Sequence, residues 1–389
     1  MLNPKTYRTI KYEPLTLFVD STLNPFNSAS YYHTPCEIDY SSTTSVQQCW
    51  EGSNNVALPD LRTEDQSVRN FFDPWIASLV STYKIDGLRI DSAKHQETSF
   101  WPTFSGNSTV YMVGEVYEGD PDVFLPFLSV FPGLLNYPVW YWLQRAFEST
   151  SATMAELNTG IANIRGKTTK TIYFGSFSEN HDQPRMPAWS SQSSDTALIK
   201  NAIGFMMLMD GIPIIYQGQE QKLTGGTVPA NREAIWLTGY NTQSELYLWI
   251  TQINKFRNAA ISINSGYASS QATSWTPDSK TIALQKGPSG YQTVSVFNNI
   301  GSSGSSYSVS LASSNTGFSA SQQVVDVIGC TSYTTDSSGN LAFTMTSLPK
   351  VFYRLDRLTG SGICPSLTGG TTSKASSTAT TLVTRKNSD

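Results

Sequence analysis

Short apolar runs that close on polar residues recur through the middle of the chain, and this rhythm limits the fold more than any other feature. The runs span 85–91, 110–116, 172–178 and 212–216, with a fifth expected at 131–137. Such runs suit strands buried on both faces of a parallel sheet. Apolar residues at helical spacing fill 139–149, 195–210 and 244–259. A helix is also predicted ahead of the first run. There Val68, Phe71, Phe72, Trp75, Ile76, Leu79, Val80 and Tyr83 fall at steps of three and four, on one face. Thr63 with Gln66 reads as a capping box at its start. Alternating strand and helix implies a parallel α/β sheet. Strand ends recur near 91, 115, 137, 180 and 217, which fits the units of about 30 residues in a (β/α)8 barrel. Five units are visible, so the predicted fold class is an incomplete TIM barrel.

Beyond about residue 268 the helical spacing stops. Alternating runs at 281–285 and 292–298, joined through Pro288-Ser289-Gly290, predict a hairpin-rich all-β domain, a sandwich over 268–365. The barrel is expected over 61–267 and irregular structure over 21–60. Residues 366–389 read as a Ser/Thr-rich disordered tail, and 1–20 are unplaced.

Charged residues make up 14% of the chain, well below the usual quarter, and the net charge is −4. That balance argues against a nucleic-acid partner, which calls for a basic face. The four cysteines, 36, 49, 330 and 364, contain no C-x-x-C pair, which argues against structural zinc. Their even count, the low charge and the sequon Asn107-Ser108-Thr109 point to an exported, glycosylated protein with two disulfides. Cys36–Cys49 would pin the irregular segment and Cys330–Cys364 the end of the β domain; four buried free thiols are the alternative. Residues 1–25 show no basic stretch followed by an apolar one, and no run reaches membrane-spanning length.

Three acidic residues close three different runs. Asp91 follows Arg89 by two, so on a strand the two share a face. A neighbouring guanidinium keeps a carboxylate ionised, which suits a nucleophile. Glu115 sits among apolar residues that desolvate its charged form and raise its pKa, as a general acid requires. Asp182 lies in the polar run Glu179-Asn180-His181-Asp182-Gln183-Pro184-Arg185. Each has a plainer reading: a structural ion pair, a solvated strand end, a polar loop. Together they fit better as an active site, because barrel active sites lie at the C-terminal ends of the strands and paired carboxylates define a retaining glycosidase. The chain has no Gly-rich phosphate loop and no H-E-x-x-H motif, and its three histidines, 33, 95 and 181, lack ligand spacing.

Several motifs resemble those of the α-amylase family, glycoside hydrolase family 13, and above all its secreted fungal members, over about residues 30–364. They are 87–95 (G-L-R-I-D-S-A-K-H), 114–116 (G-E-V) and 179–182 (E-N-H-D), supported by 58–61, 133–138, 211–221 and 229–234. The resemblance implies barrel strands 4 to 8, with 21–60 belonging to an inserted irregular domain. It implies an endo-hydrolase of α-1,4-glucosidic bonds in starch, with Asp91 as nucleophile, Glu115 as acid/base and Asp182 as stabiliser of the transition state. Arg89, Lys94, His95, Tyr117, His181 and Arg232 would bind substrate. A structural Ca²⁺ is implied, held by Asp60 and the carbonyls of His95 and Gln47. A secreted monomer is expected.

Departures from the family pattern are specific. The motif D-x-x-x-N-H of the third barrel strand and the first three strands are absent, for which a truncated gene start is the expected cause. Gln47 and Val228 stand where fungal relatives carry acids, and Tyr117 and Glu118 also differ. An unclosed barrel has open edges that invite aggregation, so poor folding and little activity are expected. An α-glucanotransferase and an inactive, glucan-binding remnant are the competing functional readings.

Overall fold

The computed structural model describes residues 23–53 and 56–368. It opens with a short helix, α1 (Thr43–Gln48), and a hairpin of β1 (Glu51–Ser53) and β2 (Val56–Leu58). Cys36 is disulfide-bonded to Cys49 across α1, with Cα atoms 4.8 Å apart. Strands and helices then alternate: α2 (Gln66–Tyr83), β3 (Gly87–Ile90), α3 (Trp101–Ser108), β4 (Tyr111–Gly114), α4 (Pro121–Phe124), β5 (Gly133–Leu134), α5 (Tyr137–Phe147), α6 (Ala155–Lys167), β6 (Gly175–Phe177), α7 (Thr196–Leu208), β7 (Ile212–Ile214) and α8 (Glu245–Ile263).

The strands β3 to β5 pair in parallel, as do β6 and β7. A parallel bridge from Leu135 to Gly175 joins the two sets in chain order. The expected five-unit parallel sheet is therefore present, including the strand expected at 131–137. Met112 of β4, Leu134 of β5 and all of β6 are buried. The outer strands are not. Ile212 of β7 is 48% exposed, and among the described residues no strand pairs with the outer edge of β3 or β7.

The open edge explains one departure from expectation. The apolar stripe of α2 splits: Val68, Ile76 and Val80 are buried, while Phe71, Trp75 and Tyr83 remain exposed. The expected capping box does not form. Asp65 occupies the N-cap, and the Thr63 hydroxyl instead faces Gln96 Oε1 at 2.7 Å and Glu97 Oε2 at 2.6 Å. A carboxylate is the stronger acceptor, and Arg69 holds that carboxylate in place at 2.8 Å. The helix α6 was not anticipated. Its buried residues, Leu157, Gly160, Ile161 and Ile164, form a sparse stripe, and Gly160 lets Trp142 approach so closely that a Cβ would meet the ring at 2.4 Å.

The C-terminal part has eight antiparallel strands: β8 (Thr273–Asp278), β9 (Thr281–Lys286), β10 (Thr293–Asn298), β11 (Tyr307–Leu311), β12 (Gln323–Asp326), β13 (Thr331–Thr334), β14 (Leu341–Met345) and β15 (Lys350–Arg354). Six form a sheet ordered β13-β12-β15-β10-β9-β8, and β11 pairs with β14. The hairpin expected from 281–298 is β9–β10. Its alternation does not mean one wet face. Ala283, Val294 and Val296 point into the sandwich core, while Ile282, Leu284 and Phe297 join the core shared with the barrel helices.

Polar bonds reinforce that junction. Lys286 Nζ meets Asp210 Oδ1 at 3.0 Å, both buried. Asn201 of α7 donates to Ser347 O and accepts from Asn298 N, each at 2.8 Å. Cys330 and Cys364 form the second disulfide. Of the tail expected over 366–389, residues 366–368 close a short helix (Pro365–Thr368) and the rest lies outside the described residues, as does the unplaced segment 1–20.

Candidate active site

Each candidate carboxylate hangs from the C-terminal end of a parallel strand. Glu115 continues β4: its N–H donates to Ile90 O at 2.8 Å, and its carbonyl accepts from Ala93 N at 2.9 Å. Ser92 adopts the left-handed region (φ 47°), uncommon for a non-glycine residue, and its N–H donates to Glu115 Oε2 at 3.2 Å. Arg89 lies between two carboxylates. One guanidinium nitrogen is 2.7 Å from Asp91 Oδ1 and the other 2.9 Å from Glu115 Oε2. The spacing that placed Arg89 and Asp91 on one face therefore holds.

The two carboxyl groups lie close enough to share a hydrogen bond when one of them is protonated. That bond, seconded by Arg89, holds Asp91 below its ordinary 3.8. Burial pushes Glu115 above its ordinary 4.5, as does the bond to Asp91. The Asp91 side chain is 75% exposed and that of Glu115 only 9%. Two carboxylates thus share a site with opposite protonation preferences, the division of labour an acid and a nucleophile require. Both carboxylates are held by the one Arg89 guanidinium, at 2.7 and 2.9 Å, which keeps them close together.

Asp182 follows β6. Asn180 Oδ1 accepts from the backbone N–H groups of Asp182 and Gln183, both at 3.0 Å, and shapes the turn. Arg232 donates to Asp182 Oδ1 at 2.9 Å and to His181 O at 3.0 Å, and His181 Nε2 is 3.2 Å from Asp182 Oδ2. Asp91, Glu115 and Asp182 line one cleft of about 800 Å³, together with Lys94, His95, Tyr117, His181 and Arg232. Arg89 lies beneath it, bridging the pair. Lys94 donates to Tyr117 O at 2.7 Å and sits between the rings of Tyr40 and Tyr117, at 5.5 and 5.9 Å. His95 packs edge-on against Tyr40 and faces Glu51 at 3.4 Å.

Sequence reasoning missed Tyr137. Its buried hydroxyl donates to Glu115 Oε1 at 3.0 Å and accepts from Asn180 Nδ2 at 2.9 Å, so one phenol joins the β4 and β6 strand ends. The available signal was its place as the last residue of the 131–137 run, where the chain enters the α5 helix before Pro138. Tyr40, Glu51 and Tyr141 also line the cleft without having been singled out. Asn107 of the sequon is half-buried in the last turn of α3, with Ser108 wholly buried behind it.

The expected calcium donors converge only in part. The α1 helix, with Gln47, packs against the turn Ala93–His95. Asp60 Oδ2 is 2.6 Å from His33 Nδ1, and burial pushes Asp60 up to about 6. No group of three or more His, Cys, Asp or Glu side chains that could hold a metal exists among the described residues. One carboxylate already engaged and two carbonyls fall short of the six to eight oxygens calcium takes, so these residues by themselves do not fit the ion.

A parallel barrel sheet whose strand ends bring Asp91, Glu115 and Asp182 to one cleft is the arrangement of a barrel enzyme's active site. The chain belongs to the α-amylase family. The model "Alpha amylase, catalytic domain" matches residues 19–284, and "Alpha-amylase, domain C" matches 275–372. Alpha-amylase 1 of Schwanniomyces occidentalis is 45% identical over 346 residues, covering 88% of this chain and 66% of that protein. An alpha-amylase of Saccharomycopsis fibuligera is 45% identical over 311 residues, covering 80% of this chain and 61% of that protein. The structure of an alpha-amylase from Malbranchea cinnamomea superposes with a TM-score of 0.85 at 42% identity, covering 91% of this chain and 73% of that one. The fold is thus the TIM-barrel amylase fold with a C-terminal all-β domain. The chain spans between about half and two thirds of the length of the curated relatives it matches. Among the described residues no helix is long and apolar enough to cross a membrane.

Proposed function

We propose that the chain hydrolyses internal α-1,4-glucosidic bonds of starch and maltooligosaccharides with retention of configuration. The observation that carries this is the pairing of Asp91 and Glu115 by the one Arg89 guanidinium, in the cleft that Asp182 also lines. Ionised Asp91 attacks the anomeric carbon while Glu115 gives its proton to the departing glycosidic oxygen. Glu115, now a carboxylate, then takes a proton from the water that releases the sugar from Asp91. Asp182, held by Arg232 and His181, accepts hydrogen bonds from sugar hydroxyls and stabilises positive charge at the ring. Lys94, flanked by Tyr40 and Tyr117, and His95 form the leaving-group side of the cleft.

Support for hydrolysis over glucan transfer comes from the two 45%-identical relatives, both alpha-amylases by name. Action outside the cell agrees with the two disulfides, and the same reading has the chain a monomer with a glycan on Asn107. A calcium ion would need donors beyond Asp60 and the two carbonyls, and no step above runs through one. Asp91 also borders the groove along the unpaired edge of β3.

A fluorinated glycosyl reagent tests the proposal. Mass spectrometry of the quenched protein should find the label on Asp91, and Glu115→Gln should block trapping by reagents that need an acid. A folded sample that takes no label would support the glucan-binding remnant, and label on another carboxylate would overturn the assignment. Longer products from maltooligosaccharides would favour transfer.

A further inference from the structure

We propose that Arg185 is a positioning residue. Through Glu179 and Glu233 its guanidinium clamps the loop bearing His181 and Asp182 to the loop bearing Arg232. The inference rests on the role given above to Asp182 and Arg232, and it concerns what holds them in register.

Arg185 is fully buried, which is rare for a guanidinium unless it is paired. Nε donates to Glu233 Oε2 at 2.6 Å. One terminal nitrogen donates to Glu179 Oε2 at 3.2 Å and to Gln217 O at 3.1 Å. The plane lies 4.4 Å over the Tyr216 ring. Both carboxylates are anchored at their other oxygens: Glu179 Oε1 accepts from Met186 N at 2.9 Å, and Glu233 Oε1 from Thr224 N at 3.1 Å and Gly225 N at 2.7 Å. Arg185 N also donates to Gly225 O at 3.0 Å.

These bonds end within a few residues of the chemistry. Glu233 directly follows Arg232, and Glu179 precedes Asp182 by three. Between the clamp and the cleft, Asn231 Nδ2 donates to His181 O and Gln183 O, both at 3.0 Å. Asp182 and Arg232 bond each other directly, and behind them their two loops are tied by a bridge that lines no part of the cleft. The guanidinium reaches Glu233 through Nε and Glu179 and Gln217 through one terminal nitrogen, the other being buried without a partner, whereas an ammonium carries all its donors on one atom and cannot span both positions.

The test uses Glu233→Gln and Arg185→Lys in the whole chain. Both should lower kcat by about 100-fold with little change in KM, because loops misplaced by about 1 Å lose transition-state contacts before ground-state binding. Amide exchange at Met186, Thr224 and Gly225 should quicken in both, while the β9–β10 amides keep wild-type rates. In the wild type, Met186 and Gly225 should exchange at one common rate, as members of one unit. Wild-type exchange and kcat in the folded variants would overturn the clamp, as would unrelated rates for the two wild-type amides. If the wild type hydrolyses no glucan, the hydrolase reading falls, and the exchange data alone decide the clamp.

Discussion

Tyr137→Phe removes one oxygen and tests whether Glu115 is the acid. The hydroxyl donates to Glu115 Oε1 at 3.0 Å, and both residues are buried. A hydrogen bond to a charged group is worth about 1.5–3 kcal/mol net, and the carboxylate gains it more fully than the acid does. At about 1.36 kcal/mol per pH unit, losing it should raise the Glu115 pKa by about 1–2 pH units, beyond the elevation that burial already causes. Loss of that proton sets the alkaline limb of kcat/KM, so the limb should move up by the same amount. Asn180 loses its acceptor as well, at a cost of about 1–3 kcal/mol in stability, so thermal unfolding should be followed alongside. The assay is the pH profile of kcat/KM on a soluble maltooligosaccharide. An alkaline limb that stays put or moves down in a folded variant would refute the reasoning.

In the wild type, kcat/KM should fall on the acid side only as Asp91, held below 3.8, takes a proton, and on the alkaline side as Glu115, held above 4.5, loses one; a profile with a single limb would contradict this. Asp210→Asn leaves Lys286 charged, buried and unpaired, which should cost about 3–5 kcal/mol by denaturant unfolding. Burial lowers the Lys286 pKa, so that loss should shrink as pH rises and the ammonium discharges. Cys364→Ser opens a loop of sequence separation 34 and should cost about 4 kcal/mol by chain entropy, read as a drop in Tm relative to the oxidised protein.

Local chemistry made the parallel strands and the three carboxylates legible. A short apolar run ending in Asp91 or Glu115 carries its meaning within a few residues, and the Arg89–Asp91 contact follows from strand alternation alone. What stayed hidden depends on distant partners. Thr63 abandons its helix for Glu97, 34 positions along the chain. Tyr137 reads as a core aromatic until two other strand ends place acceptor and donor around its hydroxyl. The stripe on α2 has the right period, but no period reports whether anything covers Trp75.

The strands β9 and β10 have no wet side, and this binds the two halves of the molecule to one fate. Ile282, Leu284 and Phe297 serve the barrel as flooring, whereas Ala283, Val294 and Val296, between them in sequence, serve the sandwich. A protease cut near residue 268 would therefore release no soluble pieces, since each piece would carry a raw oily surface shaped for the other.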